Sequence, residues 1–282
     1  MKTNKKSFQE LINFSILNID KPSGPTSFTI TNYIRKSLKL NKTSHMGTLD
    51  PIVSGVLPIT LGRACRLSNY FMHSDKEYIG IMRIHNEILE EKLKEIIKEF
   101  IGKITQLPPV RSSVKRQERI REVKSFDILE IQGKDILFKT QVQAGTYIRK
   151  LCFDIGEKIG GAHMLELRRA RASIFSEKDK EFIDLYQFDE LLKDQKELVK
   201  YLIPAEEAIK KVLPFIEISD KDIKKIYTGK PLMKDDFIDD LKNLKDEVFA
   251  AFIKDNFIGV YRRVNEKDIF AKAEFVYSIM DN

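Results

Sequence analysis

Asp50 sits near the end of the run Ser44-His45-Met46-Gly47-Thr48-Leu49-Asp50-Pro51, which brings a carboxylate, an imidazole and a glycine into one short stretch. A carboxylate before proline in a glycine-containing loop commonly bonds its own main chain two residues on, as a turn former. His45 is as readily a packed or capping side chain as a reacting one. Loops between regular elements are also where catalytic groups concentrate, so both readings of Asp50 stand at this point. Gly145-Thr146-Tyr147-Ile148-Arg149 is a second candidate, because a glycine-led helix start offers backbone donors that, with an arginine, hold an anion. On a regular helix Tyr147 and Arg149 point about 200° apart, so they serve one site only if that start is irregular. Tyr78 stands as a strand aromatic. The histidines at 45, 73, 85 and 163 lack ligand spacing, and Cys65 and Cys152 belong to no metal-spaced cluster. Neither a bound metal nor a disulfide framework is expected.

The elements that must position these residues follow from periodicity. Phe14, Ile16, Leu17 and Ile19 form a strand-like run stopped by Lys21-Pro22-Ser23-Gly24-Pro25. Ser27 can cap a helix through Leu38, with Ile30, Ile34 and Leu38 on one stripe. Residues 41–55 lack periodicity and read as a loop. Tyr78 to Ile84 reads as a strand, Asn86 can cap a helix that Gly102 ends, and 126–142 reads as two strands turned at Gly133-Lys134-Asp135. Gly145 leads into a helix with Ile148, Leu151, Cys152, Ile155 and Ile159 inward, closed by Gly160-Gly161. Residues 182–208 suit two polar-faced helices. Leu213-Pro214 marks a boundary, after which 71 residues suit a small mixed domain of its own, with Ser219 capping a helix and strands at 248–253 and 257–261.

The net charge of +7 is unevenly spread: the last 71 residues carry 12 Lys and Arg against 14 Asp and Glu, so the first 211 hold 37 against 28. A basic front part suggests a polyanionic partner. Arg111, Lys115, Arg116, Arg119, Arg121 and Lys124 crowd one segment, opposed only by Glu118 and Glu122, and Arg168, Arg169 and Arg171 form a second cluster. No stretch approaches the roughly 20 apolar residues of a membrane span, and the basic start leads into no apolar leader segment, so a cytoplasmic protein is expected.

Six blocks in order carry a resemblance over residues 14–175. They are Asp20-Lys21-Pro22 with Gly24 and Thr26-Ser27; His45 with Gly47 to Pro51 and Ser54 to Leu57; Lys76-Glu77-Tyr78; Pro108-Pro109 with Ser112 and Val114-Lys115; Gly145 to Arg149; and Gly161 to Met164 with Glu166 to Arg169. Together they resemble the TruB/dyskerin family of RNA pseudouridine synthases. The strand after Tyr78 runs directly into the helix from Glu87, without the long insertion of bacterial stand-alone members, which is similar to the archaeal branch. Cys65, Lys150 and Ala172 to Phe175 depart from the usual family residues without touching a catalytic position.

The resemblance implies an α+β fold: a mixed, largely antiparallel sheet flanked by helices and loops as a catalytic domain over 1–211. A small PUA-like β-barrel over 212–282 is implied by Ile223, Ile226, Gly229 and Gly259-Val260-Tyr261. It implies isomerisation of uridine to pseudouridine without a cofactor, at uridine-55 in the tRNA T-arm, at guide-selected rRNA sites as catalytic subunit of a box H/ACA particle, or both. Partners would be RNA and the small proteins of such a particle. Asp50 would be the nucleophile or would abstract a ribose proton, and Arg149 would pair with it, holding it ionised and oriented. Tyr78 would stack on the target base and take the C5 proton, Tyr147 would help form the pocket, and Leu167 would be its apolar wall. His45 would fill the gap left by the flipped base. Lys21, Lys115, Arg116 and Arg168 would contact RNA. A scaffold that holds RNA without chemistry is the alternative, and the complete set Asp50, Tyr78, Tyr147 and Arg149 speaks against it.

Overall fold

The computed structural model describes residues 6–108, 115–237, 244, 247–264, 266 and 268–277. Strand β1 (Ser15–Lys21) is buried on both faces, because Leu17 and Ile19 on one face join the main core and Ile16 on the other joins a second apolar cluster. The strands that follow are β2 (Thr43–His45), β3 (Ser54–Leu61), β4 (Lys76–Ile84), β5 (Gly102–Gln106), β6 (Arg119–Gln132), β7 (Asp135–Val142), β8 (Ala162–Ala172), β9 (Phe175–Ser176), β10 (Phe182–Ile183) and β11 (Ile203–Pro204). They make one sheet in the order β10-β1-β3-β8-β4-β7-β6-β5, with β11 beside β1, β2 beside β3 and β9 beside β8. Only β1–β10 and β3–β8 are parallel among these pairs, so the sheet is mixed and largely antiparallel. In the β4–β8 ladder Tyr78 faces Arg169 and Gly80 faces Leu167, which sets these four positions on one face by the two-residue period.

Helices bring further apolar side chains to the core of this sheet. Helix α1 (Phe8–Asn13) precedes β1, and α2 (Ser27–Ser37) buries Ile30 and Ile34. Its cap is Thr26, not Ser27, whose side chain is free for another task. After α3 (Ser68–Met72), α4 (Glu90–Lys98) buries Leu93, Ile96 and Ile97 without a side-chain cap; Asn86 instead donates to Gly160 O. Helix α5 (Ile148–Ile159) buries Ile148, Leu151, Cys152, Ile155 and Ile159, the stripe its spacing dictates, and Gly160 ends it in the left-handed conformation at φ 82°. Each such side chain contributes about 1.5–3 kcal/mol on burial, so the helix that carries Arg149 is firmly seated. The connection from β4 to α4 is short, as the missing insertion requires. Strand β6 begins at Arg119, seven residues before the sequence pattern placed it, because its first half is charged rather than apolar. Residues 182–208 hold β10, α6 (Leu185–Leu191), α7 (Gln195–Val199) and β11, with α8 (Ala205–Ile209) closing the stretch, in place of two helices.

The C-terminal part forms a second sheet of β12 (Phe215–Glu217), β13 (Leu232–Met233), β14 (Val248–Ile253), β15 (Asn256–Arg263) and β16 (Ile269–Val276), ordered β12-β14-β15-β16-β13, with α9 (Ile223–Tyr227) between the first two. Asp222, not Ser219, is the N-cap residue of α9. Among the described residues β12 and β13 are the edges of this sheet, and Ile218 and Phe237, just beyond them, form one bridge. It has its own core around Phe249, Ile258 and Tyr261. A further cluster joins Phe14, Ile16 and Val56 to Phe252, Phe257, Val260 and Tyr277, with Phe14 stacked on Tyr277 at 4.0 Å between ring centroids. The C-terminal part is therefore a domain that also shares apolar packing with the first sheet. No helix among the described residues is long and apolar enough to cross a membrane.

Candidate active site

Asp50 is presented by the connection between β2 and β3. Met46, Leu49 and Val53 are buried and root this loop in the core, while the Asp50 side chain stays 54% exposed. The turn expected of Asp-Pro is present, but the main chain makes it: Asp50 O accepts from Val53 N at 3.0 Å. The carboxylate is left for Arg149, whose Nη2 donates to Asp50 Oδ2 across 99 positions of sequence. The loop and the glycine-led helix start thus meet as one site.

Arg149 is the second residue of α5, and Tyr147 precedes the helix as its N-cap in extended conformation, φ −93° and ψ 102°. The start is irregular, so the opposed directions of a regular helix do not apply. Gln106, buried at the end of β5, fixes Tyr147 from both sides: its Oε1 accepts from Tyr147 N at 3.0 Å and its Nε2 donates to Tyr147 O at 3.2 Å. Sequence reading passed over Gln106, although the alternation through Ile104 places it inward.

Two buried cations hold the Asp50 loop. Lys21, expected to contact RNA, is fully buried at the end of β1 and cannot reach a phosphate. Its Nζ donates to Pro22 O at 2.8 Å, Pro51 O at 3.0 Å and Val53 O at 2.8 Å. Burial pushes its pKa down, helped by the charge of Arg169 and opposed by that of Asp50. Arg169, expected in a phosphate-binding cluster, is also fully buried; Nε donates to Val56 O at 2.8 Å and Nη2 to Gly47 O at 2.9 Å. Tyr78 stands opposite Arg169 in the β4–β8 ladder, and its side chain offsets part of the cost of burying that guanidinium, so one arginine lies between the nucleophile loop and the tyrosine expected on the base. Lys76 lies beside them, and burial followed by the Arg169 charge pushes its pKa down to about 8.

Ser27, expected as the cap of α2, also has a different task. Released from capping, its Oγ accepts from Leu49 N at 2.8 Å and lies 3.1 Å from Leu49 O. His45 bonds Thr31 Oγ1 through Nδ1 at 3.2 Å and Thr48 Oγ1 through Nε2 at 3.0 Å. Thr31 Oγ1 already donates to Ser27 O, which assigns the His45 proton to Nδ1 and leaves Nε2 to accept from Thr48. Burial, then the Arg169 charge, lowers the His45 pKa, so this imidazole is neutral near pH 7.

Leu167 is buried, and its Cδ1 lies 2.8 Å from where a Cβ on Gly80 would stand; a glycine there is what lets the leucine cross to β4. Arg168, also expected on RNA, is committed elsewhere: Nη1 and Nη2 meet both Asp20 oxygens at 2.9 Å and Nε meets Glu177 at 2.8 Å. Lys124 is paired with Asp75. Lys115 and Arg116 are exposed, whereas Pro109, Arg111, Ser112 and Val114 lie outside the described residues. Among the described residues no three His, Cys, Asp or Glu side chains converge on a metal-sized site.

The sequence and the fold have known counterparts. Residues 35–148 match the model of the TruB family pseudouridylate synthase N-terminal domain, and residues 149–210 that of the tRNA pseudouridylate synthase B C-terminal domain. The junction between the two models falls inside α5, so it is no break in the fold. A probable tRNA pseudouridine synthase B of Methanothermobacter thermautotrophicus is 39% identical over 263 residues, covering 91% of this chain and 81% of the relative. Its counterpart in Archaeoglobus fulgidus is 38% identical over 274 residues, covering 94% and 84%. A chain solved in a Cbf5–Nop10–Gar1 complex superimposes with a TM-score of 0.86 at 36% identity, over 96% of this chain and 87% of that one. Another, from an H/ACA RNP bound to a substrate RNA containing 2′-deoxyuridine, gives 0.84 at 34% identity, over 98% and 89%. The fold and these likenesses define an RNA-modifying isomerase, a pseudouridine synthase. The chain belongs to the TruB family, with archaeal relatives.

Proposed function

We propose that the chain isomerises uridine-55 in the T-arm of tRNA and, assembled with guide RNA and small H/ACA-type proteins, guide-selected rRNA uridines. The observation that carries this reading is the Asp50–Arg149 pair, an exposed carboxylate held by an arginine from the far side of the sequence. The tRNA branch is supported by the names of the relatives, and the guided branch by the assemblies in which the structural neighbours were solved.

In the reaction the bond from ribose C1′ to N1 breaks, the base turns, C1′ joins C5, the C5 proton leaves and N1 gains one. Substrate and product are isomers, so the chemistry calls for no redox partner. Asp50 acts at the ribose, either by attack on C1′ or by removing the neighbouring proton to give a glycal. Arg149 orients it. Tyr78 stacks on the flipped base and accepts the C5 proton, Tyr147 and Leu167 shape the pocket, and His45 occupies the vacated place in the RNA. Lys115 and Arg116 meet phosphates. Residues 1–211 form the catalytic domain, and 212–282 act as a PUA-like RNA-binding module, a reading supported by its own core and by the bridge from Ile218 to Phe237 beyond its edge strands. The enzyme works in the cytoplasm.

Incubation of the purified chain with unmodified tRNA, alone and with guide RNA plus partner proteins, followed by mapping of pseudouridine, tests the proposal. Pseudouridine at position 55 with the chain alone supports the tRNA branch, and product only in the mixture supports the guided one. No product in either would sink both.

A further inference from the structure

Strand β6 turns two arginines inward. Exposure alternates along its first residues, so Arg119, Arg121 and Val123 share the covered face while Ile120 and Glu122 point out. Val123 joins the main core, and the two arginines lie past its margin, opposite Gln106 and Ile104 of β5. Gln106 is the side chain that fixes Tyr147. The Arg121 guanidinium lies against Gly145, with Nε 3.2 Å and Nη2 3.3 Å from where a Cβ would stand, and Gly145 has φ +80°. A side chain at 145 would therefore be strained and would crowd the arginine. These charges are built into the start of the helix that carries Arg149.

The Nε atoms of Arg119 and Arg121 are both buried without a hydrogen-bond partner. Their other bonds go to main-chain carbonyls, Arg119 Nη2 to Lys115 O at 3.5 Å and Arg121 Nη1 to Ile120 O at 2.9 Å. A buried donor without an acceptor is costly, and more so on a charged group. Both residues are otherwise half-exposed, so a phosphate meets the outer edges of the two guanidinium forks, whose geometry suits it better than an ammonium does, and its charge offsets part of that cost.

We propose that Arg119 and Arg121 together seat one backbone phosphate of the RNA strand beside Tyr147. The seat rests on the RNA-modifying function above and adds to it a fixed point of the strand next to the catalytic helix. Such a contact sets register and orientation rather than sequence preference. It also anchors the backbone about which the target nucleotide turns out of its stack.

Binding of an unmodified tRNA transcript to the full chain, read by fluorescence anisotropy over a range of KCl, tests this. Because one phosphate is shared, Arg119→Gln or Arg121→Gln alone keeps most of the salt dependence. The double Gln variant lowers the slope of log affinity against log salt by about 0.7–0.9 and weakens binding about tenfold at low salt. Lys103→Gln, on the outward face of β5, leaves the slope unchanged. Should the double Gln variant not fold, Arg119→Met/Arg121→Met fills the covered face with apolar side chains and carries the same expectation. An unchanged slope in the folded double variant overturns the seat and leaves Arg121 as packing for Gly145. Equal, additive losses in the two single variants overturn the shared phosphate. A wild-type chain that binds neither this transcript nor guide RNA overturns the RNA reading and the seat with it.

Discussion

Lys21 and Arg169 on one side, and Lys115, Arg116, Arg119 and Arg121 on the other, are like charges put to opposite use. The first pair is fully buried and spends its donors on the carbonyls of Gly47, Pro51, Val53 and Val56, the frame around Asp50. The second group lies at or near the surface of the basic segment, with two Nε donors unclaimed. Buried cations of the first kind determine where the carboxylate stands, and cations of the second kind determine where the polyanion lies. Net charge adds the two together and so overstates the binding surface.

Substitutions at four positions test that division, beginning with the group the inner cations serve. Asp50→Asn removes pseudouridine formation while tRNA affinity stays within a few-fold, measured by product mapping and anisotropy; an affinity collapse would make Asp50 a structural residue. Arg169→Met leaves the Val56 and Gly47 carbonyls without their shared donor, at about 2–3 kcal/mol of stability and an activity loss of about a hundredfold. Denaturant melts and single-turnover rates check it, and Arg169→Lys should recover part of both. Lys21→Met costs less, about 1–2 kcal/mol, because removing a desolvated charge offsets part of the lost bonding. Its salt dependence of RNA binding should match the wild type, and a shallower slope would return Lys21 to the binding surface.

The smallest effect is at His45. Its native pKa is lowered from the ordinary 6.5. As pH falls below 6.5 the unfolded chain takes up a proton that the native imidazole resists, so stability declines until the native value is passed. Protonation also ends the acceptance from Thr48 at Nε2. Melting temperatures of wild type and His45→Gln between about pH 5 and pH 8 should show this decline in the wild type alone. Parallel curves would remove His45 from the loop's support.

Much of this is legible in the sequence. The stripe of α5 was readable because five apolar residues keep helical spacing around Cys152, and Gly160 supplies the left-handed stop. The six blocks named the family. Direction was not legible: Lys21 and Arg169 have the residue types of surface phosphate ligands, and only the sheet shows that their ends are enclosed. Thr26 and Ser27 are both competent caps, and which one faces Leu49 depends on the angle at which α2 meets the loop. The C-terminal boundary was visible as a change in charge, but the stacking of Phe14 on Tyr277 unites residues at opposite ends of the chain, which no local pattern reports.

The separation of 99 positions between Asp50 and Arg149 also bears on how the enzyme comes into being. Contacts so distant in sequence must wait for loop closure and favour slow assembly. A growing chain that has left the ribosome only through β4 displays the nucleophile loop but has neither Arg149 nor Arg169. Catalytic competence is therefore a property of the finished sheet, and a shortened or half-made product would carry Asp50 as an inert loop residue.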